Sequence, residues 1–558
     1  MLPPVTVPAS WAGLLAGFRS CFTAPSFATF CALVGGLVQA TGRRTVCAML
    51  AGAGLSRRWS HDRAHFFFAR ARWDVTEVGL ILARLVVARL VPAGAAITVA
   101  VDDSLFKRWG PKVFGRAWQH DGAAKSPRKL GSGVCFVVAG IIVALPFRII
   151  PLCLPVLACL YRPAPKPAPG RGSSAGSSAP AAPTDPAGAR RLTLLATRVQ
   201  RARTKLQHAQ DRKTARAIRL AANGGWLPGS VPDLDTPIAQ AEQALTDATT
   251  AHQQALAEIT EHGQTRRTRT PKPKTKTKTE VAGSYPTKTE LAIAMVTQLA
   301  AAFPDRTIHV VADAAYHSRA LRHLPDNVTW TFRLAKTAVL HQRPPAHTGQ
   351  PGRPKLTGPR LGTPTDIAAT ATWQPTTIHR HGEDHPATIT VIDCRWHNSL
   401  GTVNVRLTLI RNTDTTTGYD LALLSTDPTA TGTDLTNRYA TRWTIETCFR
   451  DTREHLGAGQ PHNRTQTAVH RTIPLQLFTY SLITIWYTTT GHHPDDLTRR
   501  RWLHPWYQTK TTIAFADMIT KLRHTLTETI TEYPTTHPDQ PTPNKTNGGC
   551  PTCKAATA

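Results

Sequence analysis

Residues 97–104 read ITVAVDDS, a short run of β-branched and apolar residues that ends in two aspartates and a serine. Because such residues favour extended backbone, the run predicts a buried strand that stops at Asp102 and Asp103. Residues 307–313, TIHVVAD, predict a second buried strand with Asp313 directly after it. Functional groups gather at the outer ends of strands in open α/β sheets. The two runs therefore predict an α/β fold with carboxylates at one edge of its sheet.

A long apolar stretch follows the first strand. Residues 133–161 read GVCFVVAGIIVALPFRIIPLCLPVLACLY, which is long enough to cross a bilayer as a helix. Arg148 lies near its middle and three prolines interrupt it, and buried strands also read as continuous apolar runs. We therefore predict two buried strands joined near residues 144–147 and no membrane association. A membrane anchor is the alternative interpretation.

A third acidic position falls inside a predicted helix over residues 434–456. Tyr439, Arg442, Glu446 and Arg453 follow one another at intervals of three, four and seven residues, which places them on one helical face. A phenol, two guanidiniums and a carboxylate are unusual together in a core. A solvated face with an Arg442–Glu446 ion pair explains the same pattern, so the helix alone does not establish a site.

The ends of this helix also have recognisable residues. Asp434 is a suitable N-cap, and Gly457 is a suitable residue just past the C-terminus. Trp443, within the helix, is expected to pack in the core.

The composition of the chain points to a polyanionic partner and a reducing compartment. Lys and Arg number 66 against 36 Asp and Glu, a formal net charge of +30. Charge alone leaves DNA, RNA and acidic membranes open. The ten cysteines show no disulfide framework, and Cys550 and Cys553 form only one weak pair for zinc. With no signal-peptide pattern in its first residues, the chain is expected to be cytoplasmic.

Two regions outside the acidic positions suggest contact with nucleic acid. Residues 57–73, RRWSHDRAHFFFARARW, mix arginines with aromatic residues, which suits phosphate contact and base stacking. An amphipathic helix with Phe66–Phe68 packed inward explains the pattern equally well. Residues 266–278, RRTRTPKPKTKTK, form a polybasic tract that could hold DNA without sequence preference.

Between these regions, a helical hairpin is predicted. Apolar residues alternate spacings of three and four from residue 192 to 209 and again from 238 to 259, with turn-forming residues between the two runs. A Pro-, Gly-, Ser- and Ala-rich linker precedes the hairpin. A spacer with no contact to DNA is the plainer interpretation of this hairpin.

The predicted organisation has eight segments. In chain order they are an N-terminal helical, DNA-binding segment (1–92), a first catalytic part with the first Asp (93–162), a linker, helical hairpin and polybasic insertion (163–284), a second catalytic part with the second Asp (285–345), a β-rich insertion (346–430), a third catalytic part with the Glu helix (431–480), a C-terminal helical segment (481–535) and a disordered tail (536–558).

The three acidic positions together suit metal-dependent phosphoryl transfer. Two divalent ions about 3.5–4 Å apart can clamp the attacking and leaving oxygens of an in-line displacement. Mg²⁺ prefers carboxylate oxygens, and two strand-end aspartates with Glu446 would supply them. Arg442 and Arg453 could grip phosphates, and Tyr439 could orient one of these groups or contact the DNA backbone. Lys107 and Arg108, just beyond the first aspartates, are assigned to DNA binding with them.

Several ordered motifs in the chain resemble those of DDE-type insertion-sequence transposases. They are the Asp-Asp-Ser run, DAAY at 313–316, YATRWTIETCFRDTR at 439–453, ALPFRIIPLCLPVLACLYRP at 144–163, GAGQPHNRTQTAVHRT at 457–472 and WYQTKTTIAFADMITKLR at 506–523. The third run resembles the tyrosine–arginine–glutamate–lysine signature of one transposase branch, with Arg453 where lysine is usual. The hairpin and polybasic tract are not expected from the family's usual plan.

This resemblance implies a fold, a chemistry and partners. The fold would be a ribonuclease-H-like mixed α/β sheet flanked by helices. Asp103, Asp313 and Glu446 would hold Mg²⁺, or Mn²⁺ in its place, because the family's first ligand usually precedes Thr or Ser; Asp102 is the alternative first ligand. The partners would be double-stranded DNA, as terminal inverted repeats and target, and a second copy of the chain when the ends are paired. A catalytically inactive DNA-binding descendant is the competing function.

Overall fold

The computed structural model describes residues 8–122, 124, 129–164, 186–222, 233–263, 285–345, 355–380 and 382–531. The chain divides into two compact units, residues 1–165 with 284–558 and residues 166–283. Most of the predicted linker, the polybasic tract at 266–278, the Cys550–Cys553 pair and the predicted tail lie outside the described residues.

The N-terminal segment is helical, as predicted. Its helices are α1 (Ala9–Ala16), α2 (Ala24–Gln39), α3 (Val46–Gly52), α4 (His61–Ala69) and α5 (Val75–Leu90). On α4, Phe67 and Phe68 are buried in the core while Phe66 is exposed. Two of the three phenylalanines therefore serve packing, which agrees with the amphipathic interpretation of this stretch.

Six strands form the centre of the sheet. They are β1 (Ile97–Lys107), β2 (Ala117–His120), β3 (Leu130–Val143), β4 (Leu152–Tyr161), β5 (Ile308–Ala312) and β6 (Val328–Arg333). The neighbours run β4–β3–β1–β5–β6; the first two pairings are antiparallel and the last two parallel, and β2 pairs with the other end of β3. This mixed sheet, flanked by helices, is ribonuclease-H-like.

The apolar stretch at 133–161 is a strand hairpin. It supplies β3 and β4, which pair antiparallel and are joined by residues 144–151, as the sequence predicts. No helix among the described residues is long and apolar enough to cross a membrane.

Three helices follow β4 in the chain. They are α6 (Pro186–Ala222), α7 (Asp235–Gly263) and α8 (Lys288–Ala302). The first two pack against each other within the second compact unit, which confirms the helical hairpin. Thr287 caps α8 in a capping box with Glu290, which sets the start of the helix at Lys288.

The β-rich segment extends the central sheet instead of forming a separate one. It contains β7 (Leu340–His341), β8 (Arg360–Gly362), α9 (Pro364–Thr370), β9 (Gln374–Arg380), β10 (Glu383–Arg395), α10 (His397–Leu400), β11 (Asn404–Asn412) and β12 (Leu421–Ser425). Because β12 pairs antiparallel with β6, the sheet continues from the core through β12, β11 and β10. The described residues thus form one sheet of 12 strands.

The last helices cover the sheet and include the predicted glutamate helix. They are α11 (Gly432–Ala440), α12 (Thr444–Leu456), α13 (Gln466–Trp486), α14 (Asp496–Leu503) and α15 (Phe515–Thr531). The long, buried α13 packs on β4 and α5, and its Ser481 Oγ donates to the Pro155 carbonyl at 2.8 Å.

The single helix predicted over residues 434–456 is wrong in two respects. A 3₁₀ turn, Thr441–Trp443, separates α11 from α12. The N-cap of α11 is Thr431, and Asp434 is its partner in a capping box, three residues into the helix. The predicted end is confirmed, because Gly457 follows α12 with a left-handed φ of 62°.

Candidate metal centre on the central strand

The first two aspartates lie in the middle of a strand and point to opposite sides of the sheet. The strand β1 runs on to Lys107, six residues past the predicted end at Val101, because it stays paired with β3 up to Gly133. Since side chains alternate along a strand, Asp102 and Asp103 must face opposite ways. The expectation that the strand stops at Asp102 and Asp103 is therefore wrong.

Asp103 faces the side of the sheet covered by α8. Its carboxylate lies 2.6 Å from Lys288 Nζ, and it accepts hydrogen bonds from the Tyr316 hydroxyl at 3.0 Å and from Cys135 Sγ at 3.3 Å. The charge of Asp103 is thus balanced by one lysine and two further donors. Burial raises the pKa of Tyr316 well above its usual value, and the nearby Asp103 and Asp102 carboxylates add to this, so the tyrosine stays a donor.

Asp102 faces the opposite side, where it meets α12. Arg442 donates from one nitrogen to Asp102 Oδ2 at 3.1 Å and from the other to Glu446 Oε1 at 3.0 Å. The Arg442 side chain is only 13% exposed and the Asp102 side chain 19%, so this bridge is largely shielded from solvent. Arg442 lies in the 3₁₀ turn before α12 and forms an i,i+4 ion pair with Glu446.

Asp313 lies directly after β5, the strand that pairs with β1. The parallel register of β1 and β5 pairs Val101 with Ala312, so Asp102 and Asp313 are the next residues along adjacent strands. Adjacent strands are about 4.8 Å apart, and residues in register face the same side. Asp313 is half-buried and directly follows the end of β5, as predicted.

The charge environment of Arg442 links all three carboxylates. Burial alone would lower the pKa of the Arg442 guanidinium, but the nearby Tyr439, Asp102, Glu446 and Asp313 raise it more. One cation is therefore surrounded by the three acids, and its ring contact with Tyr439 is at 5.9 Å.

The pKa of Asp102 is strongly perturbed. Burial raises the pKa of Asp102 to about 7, although Arg442 and the Asp103 backbone N–H act in the opposite direction. A carboxyl group whose charged form is costly in this way gains stability from a cation placed beside it. Arg442 supplies such a cation to Asp102.

The donor set fits a hard divalent cation, although its oxygens are not gathered around one point. Within the described residues, only Asp451, Glu454 and His455 bring three ligand atoms within 4.8 Å of one another. That group lies farther along α12 and on a different side of the helix from Glu446. Asp102, Asp313 and Glu446 instead surround a guanidinium, and carboxylate oxygens of this kind are the ligands that Mg²⁺ prefers.

Two of the residues assigned to DNA binding, Arg108 and Arg453, instead form hydrogen bonds within the protein around β1. Arg108 is only 5% exposed and donates to the Asn463 carbonyl, so it is not available to grip a phosphate. Arg453 donates to the hydroxyl of Ser104, on the same side of β1 as Asp102. These two arginines hold β1 in place, and the assignment of Arg108 to DNA binding is wrong because the side chain is buried.

The remaining predicted DNA contacts differ in exposure. Lys107 is exposed but pairs with Asp121 at 3.2 Å. Trp443 is 53% exposed, so the expectation that it packs in the core is wrong. Tyr439, Arg442 and Trp443 line a pocket of about 550 Å³ beside the acids.

That pocket contains cations that sequence reasoning missed. Its wall includes Arg333 at the end of β6, Arg380 at the end of β9 and His385 on β10. No local pattern marks these residues, because they come together only when the β-rich segment joins the sheet. Lys288, the partner of Asp103, was missed because only the packing of α8 against the sheet brings it to β1.

The sequence matches a known family model over more than half of its length. The family is described as "DDE superfamily endonuclease", and the matched residues are 17–224 and 241–391. No curated protein matches the chain. The matched ranges contain Asp102, Asp103 and Asp313 and run through α6 and most of α7, so they do not set the helical hairpin apart from the family.

The matched residues end before α12, so the position of Glu446 rests on the geometry alone. The match and the ribonuclease-H-like sheet agree on a nuclease-type enzyme of a family that generally uses divalent metal ions. This chain belongs to the DDE superfamily endonucleases.

Proposed function

We propose that this chain is a DNA transposase, which cleaves double-stranded DNA at the ends of an insertion sequence and joins those ends to a target. The observation that carries the proposal is the Arg442 bridge between Asp102 and Glu446, at 3.1 and 3.0 Å, with Asp102 and Asp313 directly following the register pair Val101–Ala312 of adjacent strands. The net charge of +30 supports a polyanionic substrate.

We assign the metal ligands to Asp102, Asp313 and Glu446. Sequence reasoning preferred Asp103 over Asp102, but the side chain of Asp103 lies on the other side of the sheet and is paired with Lys288. Asp103 is then a positioning residue, which fixes β1 through α8 so that Asp102 faces Glu446. Mg²⁺ is the expected ion, with Mn²⁺ as a substitute, because all three ligands are hard oxygens.

When bound, the metal ions would supply an activated water or 3′-hydroxyl and stabilise the leaving oxygen. The residues of the chain would do the rest. Arg442 is placed to bind a phosphate beside the acids with its planar fork of donors. Tyr439 and the exposed Trp443 would hold the strand that enters the adjacent pocket, whose arginines neutralise its phosphates.

Cleavage of end-containing DNA by single-site variants tests the ligand assignment. In Mg²⁺ or Mn²⁺, Asp102→Asn, Asp313→Asn and Glu446→Gln should each lower the cleavage rate by about a thousandfold or more. Asp103→Asn should lose much less, on the order of tenfold, because its role is indirect. Asp305→Asn is the matched control, since Asp305 is exposed and precedes β5 whereas Asp313 follows it.

Two outcomes would contradict the proposal. Normal cleavage by Asp102→Asn, with circular dichroism showing a folded protein, would remove Asp102 from the site. If the wild type and all variants bind end DNA but do not cleave it in Mg²⁺ or Mn²⁺, the chain is better explained as an inactive DNA-binding descendant. Paired ends also require two copies of the chain by mechanism, which the mass of the protein–DNA complex would check.

A further inference from the structure

The two helices of the hairpin carry opposite charge. The 37 residues of α6 contain ten Lys and Arg and a single Asp, whereas the 29 residues of α7 contain five acidic residues and no Lys or Arg. In most coiled-coil pairs such charges lie beside the seam and neutralise each other across it. The apolar spacing that predicts the hairpin does not depend on this charge separation, which is a separate property of the two helices.

Five of the cations of α6 lie on one side of the helix, which we call the basic stripe. They are Arg198, Arg201, Lys205, Arg212 and Arg216. Their spacings of three, four, seven and four residues keep them within about 60° of each other around the helix. Four of them are exposed and Arg216 is half-buried.

Among the side chains that the structure describes, no carboxylate of α7 pairs with the basic stripe. Among the described residues of the hairpin, the ion pair across the two helices joins Lys213 to Asp235, and neither residue belongs to the stripe. Asp211 and Asp247 instead accept hydrogen bonds from glutamines on their own helices. No carboxylate of the described residues lies within 4 Å of a stripe cation. Like charges at these spacings repel one another weakly, and a bound polyanion would relieve that repulsion.

We propose that the basic stripe is a second DNA-binding surface, which grips the sugar–phosphate backbone of a duplex without reading its sequence. The stripe covers 18 residue steps, or about 27 Å of helix, a little less than one turn of B-form DNA at about 34 Å. Arginine, which makes up four of the five cations, suits phosphate because its donors are planar and paired. The identification of the polyanion as DNA rests on the proposed function.

An acidic membrane surface is the other polyanion that a basic helix could meet. Helices that bind membranes expose a broad apolar face beside their cations. In α6 the seam residues Leu195 and Val199 are half-buried and Ala202 is buried, and the helix packs against α7, where Ala248 and Ala255 are buried. The exposed Leu194 and Ile218 lie on different sides of α6 and form no broad apolar face, so the helix favours duplex DNA.

The salt dependence of duplex binding by the full-length protein tests this surface. Fluorescence anisotropy with a labelled 40-base-pair duplex of random sequence, in EDTA so that no cleavage occurs, gives the affinity from about 50 to 300 mM KCl. The test variant is Arg201→Gln with Lys205→Gln. Each lost phosphate contact lowers the slope of log K against log salt by about 0.9, so the slope should fall by about 1.8 and the affinity near 0.1 M salt by about tenfold or more.

The matched control is Arg203→Gln with Lys213→Gln, which removes the same charge from the same helix. Arg203 projects from a different side of α6, and Lys213 is engaged by Asp235. This control should change the slope of log K against log salt by less than half as much as the test variant does. Circular dichroism checks that both variants keep their helices.

Three results would overturn the inference. They are an unchanged slope in the test variant, an equal loss in the control, and a test variant that loses binding to vesicles of about 30% phosphatidylserine while its DNA binding is intact. Failure of the proposed function has a different signature, because stripe-dependent binding in EDTA would persist while no DNA cleavage occurred in Mg²⁺ or Mn²⁺.

Discussion

At the scale of single residues, Arg442 balances the negative charge of the candidate metal centre. Its guanidinium bonds to Asp102 and Glu446 and lies within the field of Asp313. A divalent ion bound by the same carboxylates would repel the Arg442 guanidinium. This repulsion favours release of at least one of the two bonds when the ion binds, and a released guanidinium is then free to bind a phosphate.

Removing this guanidinium should separate its effect on metal binding from its effect on DNA cleavage. In Arg442→Gln, the three carboxylates lose their internal cation, so their affinity for Mn²⁺ without DNA should rise by about tenfold. DNA cleavage should nevertheless fall by at least about tenfold, because a phosphate contact is lost. Calorimetric Mn²⁺ titration and a cleavage assay give the two values.

The control for this variant is Arg333→Gln, a pocket arginine that forms no bond to the three acids. Its Mn²⁺ affinity should stay within about twofold of the wild-type value. Unchanged or weaker Mn²⁺ binding in Arg442→Gln would show that Arg442 does not compete with the ion.

The raised pKa of Asp102 predicts how stability depends on pH. The folded carboxyl has a pKa of about 7, against about 3.9 in an unfolded chain. The folded state therefore holds the proton more tightly, and this contribution is lost as pH rises from about 4 to 7. Without metal, the free energy of unfolding of Asp102→Asn should rise relative to that of the wild type as pH increases. From pH 5 to pH 8 this difference should grow by roughly 1–3 kcal/mol.

Chemical unfolding in EDTA at the two pH values measures this gain. Asp305→Asn should show no such trend, since Asp305 is exposed. A difference between Asp102→Asn and the wild type that is the same at both pH values would mean that the Asp102 carboxyl is not destabilised by burial.

At the scale of elements, the sheet and its helices approach each other closely at glycines. Gly79 on α5 faces β4, where an added Cβ would lie 2.2 Å from the Val156 carbonyl oxygen and 2.8 Å from a Leu157 methyl. The helix can pack at this distance only because Gly79 has no side chain. The sequence contains this glycine, but nothing in the local pattern shows which backbone it must approach.

Gly79→Ala should therefore be strongly destabilising. Because the clash is with backbone, α5 must move from β4, and the expected loss is about 2–4 kcal/mol in the free energy of unfolding. Gly13→Ala in α1 is the matched control, since its Cβ would meet nothing within 4 Å, and it should be neutral or stabilise by up to about 1 kcal/mol. Equal denaturation midpoints for the two variants would contradict the packing argument.

At the scale of the whole molecule, the hairpin unit leaves and rejoins the core at neighbouring points. The Arg162 guanidinium, just after β4, lies 5.2 Å from the ring centre of Tyr285, and Lys288 Nζ lies 5.3 Å from the ring centre of Tyr161. The last described residues before the hairpin unit and the first after it thus have side chains in contact. Lys288, which starts α8, also holds Asp103.

Replacing residues 166–283 with about eight Gly and Ser residues should leave the core folded, since a short loop can join the two ends. We expect the core to keep a cooperative unfolding transition and Mn²⁺ binding that depends on Asp102. Binding to a duplex of random sequence should weaken by about tenfold or more, because the basic stripe is lost. A protein that fails to fold, and also fails to bind Mn²⁺, would show that the unit is part of the core.

How much the sequence predicts depends on how local the information is. Strand and helix positions follow from spacings of two and of three to four residues, so the apolar hairpin, the strand before Asp313, the paired helices and the end of α12 at Gly457 were all predicted. The break at Thr441–Trp443 was not, because the helical spacing continues through it and only packing against the sheet interrupts the helix.

The sequence by itself therefore determined the α/β class, the elements that carry the acids and the excess of positive charge. These properties belong to short segments and to composition, which need no partner from elsewhere in the chain. Only the tertiary structure decided that Asp102 and not Asp103 shares a side of the sheet with Glu446, that Arg108 is buried and that Trp443 is exposed. The physical reason is alternation: neighbouring strand residues face opposite ways, and which one faces a site depends on the side that α12 covers.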